Sequence, residues 1–343
     1  MKHLFYIHSA ITYLVAIRLI EYNKLNKRDC VFLLGRGFKP ILSREINSVE
    51  LPFTHHPVNS FAVKRKFWES WGKLSGFDAF VHKLTAGEQF HLYTNQTGIA
   101  FIQLFMSHSG CAGYSFLEEG VASYYTQSKI NNEICPSGSA TTFYKVLKYL
   151  NFFGRLSDFP QFFSEDYTAV YGISNESFSE FRNRVILDDV LVQGSLASDV
   201  EGYVLALDAL YEYGSVSKEE FAQALREMFS YFKRKGIGSI RIKYHPEQYA
   251  NPVFLAAIRS LIEKYRGDVR VTELDPDCIL ELVAANKAND VTFYVFLSSV
   301  GLYAGLCGRK VYSFAHFIGE RCSNYKARIE NLPPVYKKYV EFL

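Results

Sequence analysis

Residues 217–274 read SKEEFAQALREMFSYFKRKGIGSIRIKYHPEQYANPVFLAAIRSLIEKYRGDVRVTEL, and this stretch decides the fold. Ser217 can cap a helix, and Glu219 and Glu220 stand where the positive end of the helix dipole favours acids. Apolar residues then recur at three- and four-residue intervals through Lys218 to Lys235, the spacing of one helical face. Ser239 to Lys243 is short and apolar at alternate positions, which predicts a strand. Pro252 to Tyr265 predicts a second helix, and Val269 to Leu274 a second strand. Strand and helix in alternation are the units of a parallel sheet covered on both faces.

The rhythm extends in both directions. Downstream, Asp277 to Lys287 predicts a helix, Val291 to Leu297 a strand, Ser298 to Leu306 a helix and Lys310 to Phe314 a strand. Upstream, Asp188 to Val192 predicts a strand closed by Gln193-Gly194-Ser195. Nearer the N-terminus, Leu4 to His8 and Cys30 to Leu34 predict strands around a helix from Ile11 to Asn23. Phe61 to Leu74 predicts a helix, Phe77 to His82 and Gln89 to Tyr93 strands, Gly98 to Ser107 a helix and Tyr114 to Leu117 a strand. Residues 128–184, rich in aromatics and turn formers such as Pro136-Ser137-Gly138-Ser139, predict helical excursions and a crossover. The expectation is an α/β chain of two doubly wound domains, 1–185 and 186–343.

Bulk properties exclude several classes. A net charge of +3 over 343 residues does not point to a nucleic-acid binder. The six cysteines include no C-x-x-C pair, so neither a zinc site nor a disulfide framework is indicated. The apolar run Ala10 to Ile20 is broken by Arg18 and too short to span a bilayer. A cytoplasmic protein that visits anionic membrane surfaces as a peripheral partner is expected.

In open α/β sheets, ligands bind beyond the C-terminal ends of the strands. Polar residues cluster there: Glu118, Glu119 and Gly120; Gly194 and Ser195; Lys243, His245 and Pro246; Ser298 and Ser299. A carboxylate offers a general base, and Lys and His offer a cation and a proton donor for phosphate. A serine pair at a helix start adds donors for an anion. The blander readings are a solvated acidic loop, a turn at His-Pro and a simple helix cap at Ser298. Gly35-x-Gly37 lacks the third glycine of a dinucleotide fingerprint.

The ordered set Glu118-Glu119-Gly120, Lys243-x-His245-Pro246 and Ser298-Ser299 resembles the bacterial sialyltransferases of the GT-B type. That resemblance implies two Rossmann-like domains facing across a cleft, with the acceptor on the first and a CMP-sugar on the second. It implies inverting, metal-independent transfer of sialic acid or another nonulosonic acid to a glycan hydroxyl, with no cofactor. Glu118 is then the base, exchangeable with Glu119, and His245 serves the departing phosphate. Gly194, Ser195, Lys243, Glu281, Ser298 and Ser299 complete the CMP pocket. Ser9, Arg36 and Asn95 line the acceptor side. Asp199 and Glu201 are alternative bases. A transferase of another nucleotide sugar, or a non-catalytic capsule-assembly protein of the same fold, would carry the same pattern.

Overall fold

The computed structural model describes residues 1–36, 38–39, 45–53, 61–134, 141–156, 162–191, 199–212 and 214–343. It divides into two compact units, Met1–Val190 and Leu191–Leu343. Gly194, Ser195 and the turn at Pro136 to Ser139 lie outside the described residues.

The first unit is built on a seven-stranded sheet. Its strands are β1 (Lys2–Ile7), β2 (Cys30–Leu34), β3 (Asn47–Glu50), β4 (Phe90–Thr94), β5 (Cys111–Leu117), β6 (Val170–Gly172) and β7 (Arg184–Ile186). They pair in parallel in the order β3-β2-β1-β4-β5-β6-β7. The central strands are apolar on both faces because helices cover both. Leu4, Phe5, Tyr6 and Ile7 of β1 are fully buried, and Phe5 stacks on Tyr93 of β4.

The second unit holds a six-stranded parallel sheet, ordered β10-β9-β8-β11-β12-β13. Its strands are β8 (Gly202–Ala206), β9 (Ser239–Lys243), β10 (Arg270–Glu273), β11 (Val291–Val295), β12 (Lys310–Ser313) and β13 (Glu341–Phe342). The helix Lys218–Arg234 carries the expected Ser217 cap, completed by Glu220 as a capping box. The last helix, Pro334–Tyr339, stays with this unit: Tyr336 donates to the Ser298 carbonyl, and β13 pairs with β12.

Several expected elements are corrected. Phe77 to His82 is not a strand but the middle of a helix, Phe67–Thr85. Leu74, Phe77, Val81 and Thr85 are buried along one helical face, and that contact outweighs the local strand-like composition. Asp188 to Leu191 is a turn, because Asp189 adopts φ 58°, which an extended strand cannot contain. The strand of this region is β8, further along the chain. The helix expected at Asp277 begins only at Leu280, since Asp275 accepts from the Asp277 N–H and holds a turn. The middle region, expected as helical excursions and a crossover, contributes β6, and β7 begins at its end.

Both sheets reverse strand order about their first strand. The switch points therefore fall between β1 and β4 in the first unit, and between β8 and β11 in the second. At such points the connections leave in opposite directions and open a crevice at the C-terminal edge.

Candidate functional site

In the first unit, the tips of β1, β2, β4 and β5 bring five polar residues together. His8 follows β1, Arg36 follows β2, Asn95 follows β4, and Glu118 and Glu119 follow β5. Successive residues at a strand tip point to opposite sides. The two acids accordingly have different fates.

Glu118 is fully buried. One carboxyl oxygen accepts from the Tyr124 hydroxyl at 2.7 Å, and the other from the Ile173 N–H at 2.7 Å. It clamps the segment after β6 and the short helix Gly120–Tyr124 onto the tip of β5. Glu119 keeps 23% of its side chain exposed, and its Oε1 lies 2.9 Å from His8 Nε2. Its other oxygen accepts from the Asn95 side-chain amide. Burial pushes the Glu119 carboxyl up. The charge and hydrogen bond of His8, the Arg36 guanidinium and the Asn95 amide outweigh it and hold the group below the usual carboxylate range. Glu119 is thus a charged carboxylate, oriented by two buried side chains and open to solvent.

Two glycines make this geometry possible. Gly120 has φ 58°, which lets the chain turn sharply behind the acid pair. A Cβ on Gly35 would sit 2.8 Å from the Tyr6 ring, so only glycine lets the β2 turn approach and present Arg36. Ser9 caps the helix Ala10–Tyr22 in a capping box with Thr12, next to His8.

In the second unit, β8, β9 and β11 end in Asp208, His245 and Ser298. His245 caps the short helix Pro246–Ala250, its Nδ1 accepting from the Glu247 N–H at 3.2 Å. A neutral ring that accepts at Nδ1 carries its proton on Nε2, where it can be given to a ligand. The buried Gln248 locks this cap. It accepts from the His245 N–H at 2.8 Å and donates to the Asp208 carbonyl at 3.1 Å and Glu212 at 2.8 Å.

Ser298 caps the helix Ser299–Leu306, accepting from the Val300 N–H, and Ser299 is half-buried in the first helical position. Asp208 accepts from the Leu297 N–H at 2.7 Å. Burial pushes its carboxyl up to about 6, against the pull of that N–H, Arg328 and Ser298. Glu281 is buried on the helix Leu280–Ala285, and burial raises its carboxyl against its own backbone N–H and Lys243. Lys243, expected in the CMP pocket, donates to the Asp275 and Pro276 carbonyls. It shapes the loop after β10. Asp199 and Glu201 precede β8 and stand at the opposite edge of the sheet, so neither joins this cluster. A hollow of about 360 Å³ beside Ser230, Lys233 and Asp268 likewise lies at that far edge.

Sequence reasoning missed His8, Asp208 and Gln248 as site residues. Asp208 was hidden by the misplaced strand, although a carboxylate directly after an apolar run, here Val204 to Leu207, is the usual signal. Gln248, three residues after His245, matches the capping-box spacing. Among the described residues, no group of three or more His, Cys, Asp or Glu side chains gathers as metal ligands, and no helix is long and apolar enough to cross a membrane.

The pH consequence of Asp208 can be checked directly. Its folded value lies above the ordinary carboxylate value, so the folded chain binds the proton more tightly than the unfolded one. The resulting stability is present in acid and lost as pH rises towards 6. The Asp208→Asn protein should therefore gain melting temperature relative to the parent between about pH 4 and pH 8. A gap that does not change with pH, measured by differential scanning calorimetry, would contradict the assignment.

No family model matches the sequence, and no curated protein matches it in sequence. In three dimensions the chain is similar to the UDP-GlcNAc 2-epimerase of Methanocaldococcus jannaschii, solved with UDP-GlcNAc and UDP. The TM-score is 0.54 at 9% identity, covering 100% of this chain and 89% of that one. It is also similar to the UDP-GlcNAc 2-epimerase of Neisseria meningitidis bound to UDP-GlcNAc, with TM-score 0.50, 11% identity, and coverage of 100% and 95%. A putative UDP-N-acetylglucosamine 2-epimerase from Listeria monocytogenes gives TM-score 0.50 at 11% identity, covering 91% of this chain and 78% of that one. At such identities the likeness speaks for the fold: an α/β chain of GT-B type, with two Rossmann-like domains in succession.

Proposed function

We propose that the chain is an inverting glycosyltransferase that moves a nonulosonic acid from a CMP-sugar to a glycan hydroxyl. The observation that carries this is the chemistry at the two switch points. An oriented carboxylate stands at one, and a proton-bearing imidazole beside a serine-capped helix stands at the other. The first unit supplies the base and the acceptor side; the second holds the donor.

Glu119 is the general base in this reading, and Glu118 holds the tip of β5. As the acceptor hydroxyl attacks the anomeric carbon, its proton passes to Glu119. The bond from that carbon to the phosphate oxygen breaks, and CMP leaves with the electron pair. His245 Nε2–H donates to the departing phosphate, and Ser298 and Ser299 add hydroxyl donors. Glu281 offers two acceptor oxygens to the ribose hydroxyls. Gly194 and Ser195 belong to this donor pocket by sequence pattern alone. Arg36, Asn95 and Ser9 form the acceptor side. The reaction needs no cofactor, and no residue here is assigned to a metal.

The decisive experiment is a donor screen: CMP-sialic acid is supplied with and without lactose-type acceptors, and release of CMP is followed. Stabilisation against heat by CMP, with none by UDP or GDP, is the expected companion result. A second reading is a GT-B enzyme of a UDP-sugar, favoured by the UDP-GlcNAc bound in two of the similar structures. Stabilisation by UDP in preference to CMP would select it. A non-catalytic capsule-assembly protein would bind CMP without turnover.

His245→Ala should weaken CMP binding about tenfold and slow transfer further, since one charge-assisted hydrogen bond to phosphate is worth roughly 1.5–3 kcal/mol. Isothermal titration with CMP measures the first effect. Unchanged affinity and unchanged turnover would remove His245 from the phosphate role.

A further inference from the structure

The first unit carries an apolar face turned outward. On the helix Thr142–Phe152 and its left-handed cap Phe153, the residues Phe143, Val146, Leu150 and Phe153 fall at i, i+3, i+7 and i+10. That is one helical stripe, the pattern that normally faces a core. Here Phe143 is 75% exposed, Val146 54%, Leu150 42% and Phe153 58%. The inner side of the same helix is instead closed by Asn151 and Phe152, both buried.

The stripe continues onto the helix Phe67–Thr85. Trp71 donates its indole N–H to the Leu150 carbonyl at 2.9 Å and stacks on Phe153 at 5.4 Å. Phe67 bridges Trp71 and Trp68, which is 56% exposed. Both tryptophans of the chain lie in this patch.

A second observation is electrostatic. Lys64, Arg65 and Lys66, all exposed, stand together at the start of the helix Phe67–Thr85, with Lys66 at the cap position and making no capping bond through its side chain. Cations at a helix N-terminus oppose the dipole, so this placement is unfavourable for the helix itself. Asn151 bonds both the N–H and the carbonyl of Lys64 at 2.9 Å and so ties the basic run to the aromatic helix. Lys145 adds an exposed cation on that helix.

We infer that this face docks on an anionic lipid bilayer. Tryptophan, tyrosine and phenylalanine suit the boundary between head groups and acyl chains, and a flanking Lys/Arg cluster is drawn to anionic head groups. The combination is peripheral: the stripe enters the interface rather than crossing it. The inference stands independently of the proposed transfer reaction.

The test mixes the full chain with vesicles of phosphatidylcholine alone and of phosphatidylcholine with phosphatidylglycerol. Tryptophan emission and co-sedimentation are read together. The expected result is a blue shift and pelleting with the anionic vesicles only, both reversed by salt. Changing Lys64, Arg65 and Lys66 together to Gln should weaken partitioning about a hundredfold, at roughly fivefold for each cation. Phe143→Ser with Val146→Ser should abolish the blue shift. These two side chains are exposed, so circular dichroism and melting should match the parent. No binding to either vesicle would overturn the inference. So would concentration-dependent dimerisation in sedimentation that the Phe143/Val146 double variant removes, because the face would then be covered by a second copy.

Discussion

Glu119→Gln is expected to lower the turnover of the proposed CMP-sugar transfer by about 10²–10⁴, the range that a general base contributes. CMP affinity and melting temperature should stay close to the parent values. The amide fills the same space and can still accept from Asn95, but it cannot take the acceptor's proton. Glu119 is the member of the acid pair whose carboxylate keeps some solvent exposure, and His8 and Asn95 aim it. Product formation under saturating donor is the direct measurement. If Glu119→Gln retains full turnover, the base lies elsewhere.

Glu118→Ala should act on stability instead. Both of its carboxyl oxygens accept bonds in a fully buried place, from the Tyr124 hydroxyl and the Ile173 N–H. Removing the carboxyl takes the acceptor away from the buried Tyr124 hydroxyl and the part-buried Ile173 N–H, at about 1–3 kcal/mol each. The expected loss is about 2–5 kcal/mol, seen as a lowered denaturant midpoint with little change in slope. Glu118→Gln is the control: the amide can accept from Ile173 while the Tyr124 hydroxyl turns to accept from it, so most stability should return. Transfer by Glu118→Gln should also be largely retained. A stable Glu118→Gln protein without turnover would reverse the two assignments.

These two variants mark the limit of what the sequence makes legible. Where periodicity was strong, the elements emerged at the expected residues: β2, β9 and the helices Lys218–Arg234 and Pro252–Tyr265. Edge strands escaped. β3 reads Asn-Ser-Val-Glu and is not fully buried at any position, so it has no apolar run to see. β6 and β7 are three residues each, too short for a period of two to show. Strand tips were placed well enough to find Glu118 and Glu119 after β5, and His245 and Ser298 after β9 and β11. Which of two adjacent acids faces solvent depends on the pleat at the tip and on the backbone of β6. Neither is local in sequence. His8 and Asn95 were separable from ordinary strand ends only once β1 and β4 were known to be neighbours.

The clamp made by Glu118 bears on how descent should be read in this fold. An acid needed to hold β5, β6 and the Gly120 turn together is retained by selection on folding, whatever becomes of any activity at position 119. Relatives that have lost activity should therefore keep position 118 and drift at positions 119 and 8 together. Invariance of the first acid would mark shared architecture; covariation of the second with its histidine would mark shared chemistry.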